Sequence, residues 1–226
     1  MRSLATGASS FTTFVQVLPR LPSLLARMRP TWHLPSLAAL DEQFLRSNGI
    51  RGIIWDVDGT LTGDRCSTLE PQVEEPFRSL LRNPELRHVI LSNSGEERFR
   101  QLGEIFPEVP LLRAYRLRGE VLYRRRLDGT DTWSAEELES RLAQGAMVVR
   151  KPDAQLIDYC VRELGVGADA TVMVGDQYLT DVAGANLGGV RSVKLATLAP
   201  DTFRRTVRFS QVVELGLYRL LYGAPR

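Results

Sequence analysis

The sequence predicts a doubly wound α/β domain on a mostly parallel sheet, and three observations predict it. Five short apolar runs recur along the chain, each suited to a strand buried on both faces. Segments of helical period separate them, which is the alternation of a parallel sheet with crossover helices. Acids, hydroxyls and glycines follow several of the runs directly, at the carboxyl ends of strands, where sheets of this class hold their ligands.

Taken in order, residues 1–40 read as a basic leader rather than a core. They carry Arg2, Arg20, Arg27 and Arg29 with no Asp or Glu, and prolines at 19, 22, 30 and 35 break them into short pieces. Only residues 21–28 have the apolar content for a turn or two of helix. Residues 3–19 are too rich in Ser, Thr and Gly to span a bilayer or serve as a secretory segment; an acid-free, arginine-bearing start also suits an organellar transit sequence, a reading weakened by the lack of basic residues in 3–19. A helix at 41–48, stopped by Asn48-Gly49, leads into the domain at 41–226. The strands are expected at 52–57, 87–91, 109–112, 171–174 and 190–195, with the clearest helices at 95–106, 153–164 and 180–187.

One segment breaks the alternation. Residues 120–127, Asp128-Gly129 and residues 130–133 have the turn dipeptide of a β-hairpin. Residues 134–142 follow as a helix with Ser134 as N-cap and Glu137 at the capping-box position. Residues 116–147 are therefore read as a small inserted lid or flap, and no large cap fits between Asp56 and Ser92.

Apolar and charged fractions of 43% and 25% are those of a globular chain, and 226 residues suffice for one sizeable core. Cys66 and Cys160 show no CxxC spacing or nearby histidine pair, so neither a zinc site nor a disulfide framework is indicated, and both read as ordinary thiols in a reducing, cytoplasmic setting. The net charge of +2 conceals basic clusters in the leader, at Arg113, Arg116, Arg118, Arg124, Arg125 and Arg126, and at Arg204, Arg205 and Arg208. Such clusters attract phosphate-bearing partners or an anionic membrane, or are simply solvated. No nucleic-acid partner is expected.

The first apolar run ends in Asp56-Val57-Asp58-Gly59-Thr60. Two acids one residue apart at a strand end suit a nucleophilic carboxylate and a proton-transferring one that share a cation. A calcium loop is excluded because its twelfth position would be Ser67 and a strand precedes it. The second run ends Leu91-Ser92-Asn93-Ser94, where a hydroxyl beside a helix start can hold a phosphate oxygen or simply cap the helix. Lys151, before Pro152 and a helix, either offsets phosphoryl charge or lies on the surface, and the proline suits a first helical turn. The fourth run meets Gly175-Asp176 and, five residues beyond Asp176, Asp181, which supply a metal ligand and a partner able to orient Lys151 or a water. Core packing does not explain acids at the end of a buried strand.

Together, DxDGT, a strand-end Ser, a Lys before a helix and GDxxxxD resemble, in order and placement, the four motifs of the haloacid dehalogenase (HAD) superfamily. The resemblance implies a phosphatase in which Asp56 takes up the phosphoryl group and Asp58 acts as acid and base. It further implies that Mg²⁺ sits among the Asp56 carboxylate, the Asp58 main-chain carbonyl and Asp176. Ser92, Asn93 and Lys151 would hold the phosphoryl group, and Asp181 would act from behind the ligands or touch the metal or its water. A narrower resemblance, through residues 49–54, Leu91-Ser92-Asn93-Ser94 and residues 175–182, is to the YqeG family, which is similar to the phosphatidylglycerophosphate phosphatases. This chain departs from that family in Asp58-Gly59-Thr60, where Asp-Asn-Thr is usual, and in the 116–147 insertion. The substrates implied are a lipid phosphate, with peripheral contact to an anionic membrane, or a small soluble phosphomonoester. A non-catalytic interaction module on the same scaffold is the alternative, and the retention of Asp56, Asp58, Lys151 and Asp176 argues against it.

Overall fold

The computed structural model describes residues 21–224. Nine strands form one sheet: β1 (Trp32–His33), β2 (Gly52–Trp55), β3 (Arg87–Leu91), β4 (Leu111–Leu117), β5 (Glu120–Leu127), β6 (Thr130–Asp131), β7 (Met147–Val149), β8 (Thr171–Gly175) and β9 (Arg191–Lys194). The order is β1-β9-β8-β2-β3-β4-β5-β6, with β7 added to β4. All five expected strands are present and parallel to one another. Chain order reverses between β2 and β8, so the loops after these adjacent strands open the crevice in which such folds bind ligands.

Alternation along β2 divides the core. Ile53 and Trp55 face one side of the sheet with Phe77, Ile90 and Phe99, and Ile54 faces the other with Val89, Met173, Leu156 and Ile157. The first side is covered by α3 (Pro71–Arg82) and α4 (Glu96–Ile105), and the second by α6 (Ala154–Leu164). Between α1 (Leu21–Leu25) and β2 lies α2 (Glu42–Ser47), whose N-cap Asp41 accepts a hydrogen bond from Phe44 N.

Three expectations are corrected. Residues 21–40 do not stand apart from the core: Leu24 and Met28 are fully buried, Leu37 and Leu40 join the main cluster, and β1 pairs in parallel with β9. The prolines break helices there but leave an extended segment free to add a strand at the sheet edge. The hairpin and the helix α5 (Ala135–Ala143) form where the sequence places them, yet β5 runs in register along all of β4 and β7 pairs with β4's other edge. The insertion thus widens the sheet itself. Finally, Asp153, not Pro152, opens α6: its side chain accepts a hydrogen bond from Gln155 N, and the proline lies before the cap.

The helix expected at 180–187 is a π-helical turn, Tyr178–Val182, running into α7 (Ala183–Leu187). A long terminal helix, α8 (Arg205–Tyr222), packs Tyr218 against Leu24, Met28, Tyr178 and Val182.

Candidate active site

The strand ends of β2 and β8 bring Asp56 and Asp176 side by side, and the π-helical turn returns Asp181 to them. These three buried carboxylates each offer an oxygen within 4.8 Å of the others. Lys151, reaching in from before α6, sits between two of them, with Nζ 2.6 Å from Asp56 Oδ1 and 2.8 Å from Asp181 Oδ1. Asp181 Oδ2 accepts from Gln177 N at 3.0 Å, so both of its oxygens are engaged. Among the described residues, Asp56 Oδ2 accepts only a 3.2 Å hydrogen bond from Thr60 Oγ1.

Asp176 differs from the other two. Its Oδ2 accepts from Thr197 Oγ1 at 2.8 Å and Gln211 Nε2 at 3.1 Å, whereas its Oδ1 is buried with no partner among the described residues. A buried, unpartnered carboxylate oxygen is costly in an apolar interior. Counting the buried Lys194 and Glu214 that also act on Asp176, the acids here outnumber the two lysines, and a hard divalent cation would offset that excess of negative charge, so the residues present fit Mg²⁺. The electrostatics agree. Burial, reinforced by the neighbouring carboxylates and only partly opposed by Lys151, pushes Asp56 up to about 8. Burial and Asp181 push Asp176 up to about 7. Burial pulls Lys151 down, but Asp181 and Asp56 outweigh it and hold the lysine well above its ordinary value.

Two glycines permit this approach. Gly59 has φ +96, and a Cβ there would lie 2.6 Å from Asp176 Oδ2. At this position of DxDGT an asparagine therefore does not fit without moving Asp176. A Cβ at Gly175 would collide with the Asp181 carboxylate.

The remaining sequence candidates lie around this centre. Asp58 does not join the three-carboxylate group. Its Oδ1 is 2.6 Å from Arg98 Nη2 and accepts from Arg65 N at 3.2 Å. Asn93 spends its amide on the main chain of Lys151, accepting from Lys151 N at 2.8 Å and donating to Lys151 O at 3.0 Å. It therefore positions the lysine. The Ser92 hydroxyl makes no hydrogen bond among the described residues, which leaves it available to an incoming ligand.

Residues 148–198, which hold Lys151, Asp176 and Asp181, match the family model described as HAD-hydrolase-like. The doubly wound, mostly parallel sheet with acids at its strand ends is consistent with a HAD-like fold. The chain is 28% identical over 173 residues to "Phosphatidylglycerophosphate phosphatase 1, chloroplastic" of Chlamydomonas reinhardtii, a match covering 73% of this chain and 53% of that protein. The chain thus spans about half the length of the curated relative it matches. A crystal structure of an uncharacterized protein from Listeria monocytogenes serotype 4b aligns with 65% of this chain and 78% of its own, at 18% identity and a TM-score of 0.42.

Four contributors to this centre escaped the sequence reading: Thr197, Gln211, Arg98 and Glu214. Glu214, buried on α8, accepts from Tyr178 N at 3.0 Å and Leu179 N at 3.3 Å, fixing the turn that carries Asp181. Burial raises it to about 7. A signal existed, because Glu214 is the lone acid in an apolar, arginine-bearing run from 204 to 222. A lone acid in such a run commonly faces inward to donors. Thr197, Gln211 and Arg98 have no such mark.

Proposed function

We propose that the protein is a Mg²⁺-dependent phosphomonoesterase that works through an aspartyl-phosphate on Asp56. The observation that carries the reading is the three-carboxylate centre with Lys151 on Asp56 and an orphaned oxygen on Asp176. Asp56, the Asp58 main-chain carbonyl and Asp176 would hold the cation, and when bound it would offset the charge of the phosphoryl oxygens and of the attacking carboxylate.

An Asp56 carboxylate oxygen forms a bond to phosphorus as the ester P–O bond breaks, and the leaving oxygen takes a proton from Asp58. Asp58 then removes a proton from water as water attacks phosphorus, releasing inorganic phosphate and restoring Asp56. For this the Asp58 side chain must exchange its ion pair with Arg98 for a proton and the substrate. Lys151 meets the phosphoryl oxygens, kept in place by Asp181 and by the Asn93 amide, and the Ser92 hydroxyl donates a further hydrogen bond.

Similarity to a protein named phosphatidylglycerophosphate phosphatase favours a phosphate ester carried by a lipid, with phosphatidylglycerophosphate the first substrate to test. A small soluble phosphomonoester is the other candidate. A release assay with purified protein and Mg²⁺ against a panel containing both classes tests the reading. Hydrolysis of the lipid ester well above the soluble esters is expected. Preference for a soluble ester would move the substrate to that class, and no hydrolysis of any ester would overturn the reading.

A further inference from the structure

The terminal helix α8 presents apolar side chains on both faces. Its inner face carries Glu214 and Tyr218 into the fold. Its outer face carries Phe209, Val212 and Leu220, which are 71%, 68% and 81% exposed, with Val213 also exposed. At about 100° per residue, Phe209, Val212, Val213, Gly216 and Leu220 share an arc of roughly 100°. No described residue covers that arc. Scattered exposed apolar residues need no explanation, but a contiguous stripe along one helix marks a contact surface.

Charge identifies the contact. Arg204, Arg205, Arg208 and Arg219 flank or interrupt the stripe, and the only acid on the helix, Glu214, points inward. Arg208 has one exposed carboxylate at 3.8 Å, Asp201, and Arg205 and Arg219 form no ion pair with a described residue. An isologous contact with a second copy would bring these arginine flanks toward one another. An anionic lipid surface would accept the apolar stripe among its acyl chains and the guanidinium groups at its headgroups.

We infer that the outer face of α8 docks on an anionic lipid surface. The inference rests on the exposure and charge of the helix and holds whether or not the centre hydrolyses phosphate. It also places that centre at the interface. Gln211, adjacent to the exposed Val212, donates to Asp176 Oδ2, so the carboxylates lie about one helix diameter, about 10 Å, from the docked face. Among the described residues no helix is long and apolar enough to cross a membrane, so the contact is along the surface.

Sedimentation of the full chain with vesicles of phosphatidylcholine alone and of phosphatidylcholine with phosphatidylglycerol, at low and high salt, tests this. Binding only to the anionic vesicles, weakened by salt, is expected. Phe209→Asp and Leu220→Asp should each lower the apparent affinity about tenfold or more, and the triple change of Arg205, Arg208 and Arg219 to Gln should abolish the salt dependence. Circular dichroism and thermal unfolding check that each variant is folded. No sedimentation of the unaltered chain, or unchanged sedimentation of folded variants, would overturn the inference. So would a dimer that the same substitutions dissolve in a chain that ignores vesicles, because the face would then belong to a second copy.

Discussion

Two buried charge clusters lie on this sheet, and they are built in opposite ways. At the antiparallel edge, Glu96 meets Arg113, Arg124 and Tyr115, and Arg124 also meets Asp131 at 2.6 Å. Each carboxylate there has a guanidinium partner. At the parallel centre, Lys151 pairs with Asp56 and Asp181 but not with Asp176, one of whose oxygens has no partner among the described residues. A compensated cluster holds a fold together, whereas an uncompensated one costs stability and persists where a cation or substrate completes it. The difference also relocates the basic surface. Arg124 and Arg125 of the insertion are bound to Asp131 and Glu163 within the fold, which leaves the arginines of α8 as the exposed cluster beside an apolar face.

The largest expected effect is on activity at the uncompensated cluster. Asp56→Asn should lower turnover by about four orders of magnitude or more, because an amide cannot attack phosphorus. Rates in the purified variant, with unfolding curves as control, check this. A substantial residual rate would remove Asp56 as nucleophile.

Next in size is a contrast in stability. Glu96→Gln should destabilise the fold by about 3 kcal/mol, since it leaves the buried Arg113 guanidinium without a carboxylate and Arg124 with Asp131 alone. Asp176→Asn should stabilise the metal-free protein by about 1 kcal/mol, since it removes repulsion. Chemical denaturation of the chelated proteins measures both, and changes of the same sign would break the comparison.

The smallest effect is on pH dependence, and its sign separates the clusters. In the metal-free protein Asp56 and Asp176 keep protons that the unfolded chain releases near pH 4. Their contribution to stability is therefore full at acid pH and falls as pH rises from about 4 through about 7 to 8. Glu96 is the reverse: burial raises it, but Arg113, Tyr115 and Arg124 outweigh burial and hold it below its ordinary value. Its contribution is present at neutral pH and is lost as pH falls through that depressed value. Denaturation of chelated wild-type and Glu96→Gln proteins from about pH 2 to about pH 8 resolves the two, and a wild-type stability that rises steadily from about pH 4 to about pH 8 would contradict the account.

The central sheet and the acids at its strand ends were legible because parallel strands buried on both faces leave short apolar runs that end abruptly in polar loops. Gly52–Trp55 and Thr171–Gly175 are of this kind. The edges were less legible. Arg113 and Arg124 read as surface because their carboxylates, Glu96 and Asp131, come from elsewhere in the chain, and sequence does not show which charges meet. Residues 21–40 read as a leader because prolines and arginines mask the few apolar side chains, Leu24, Met28, Leu37 and Leu40, that become buried. Helix α8 went unread because apolar residues on both faces blur its period, and with it went Gln211 and Glu214.

The most direct test of the central claim is a Mg²⁺ titration of the exhaustively chelated protein, followed in parallel by phosphate release and thermal unfolding. The account predicts that chelation removes activity, that Mg²⁺ restores it while raising the unfolding temperature, and that Asp176→Asn loses both responses. Full activity after chelation, or a metal response unchanged in Asp176→Asn, would contradict it.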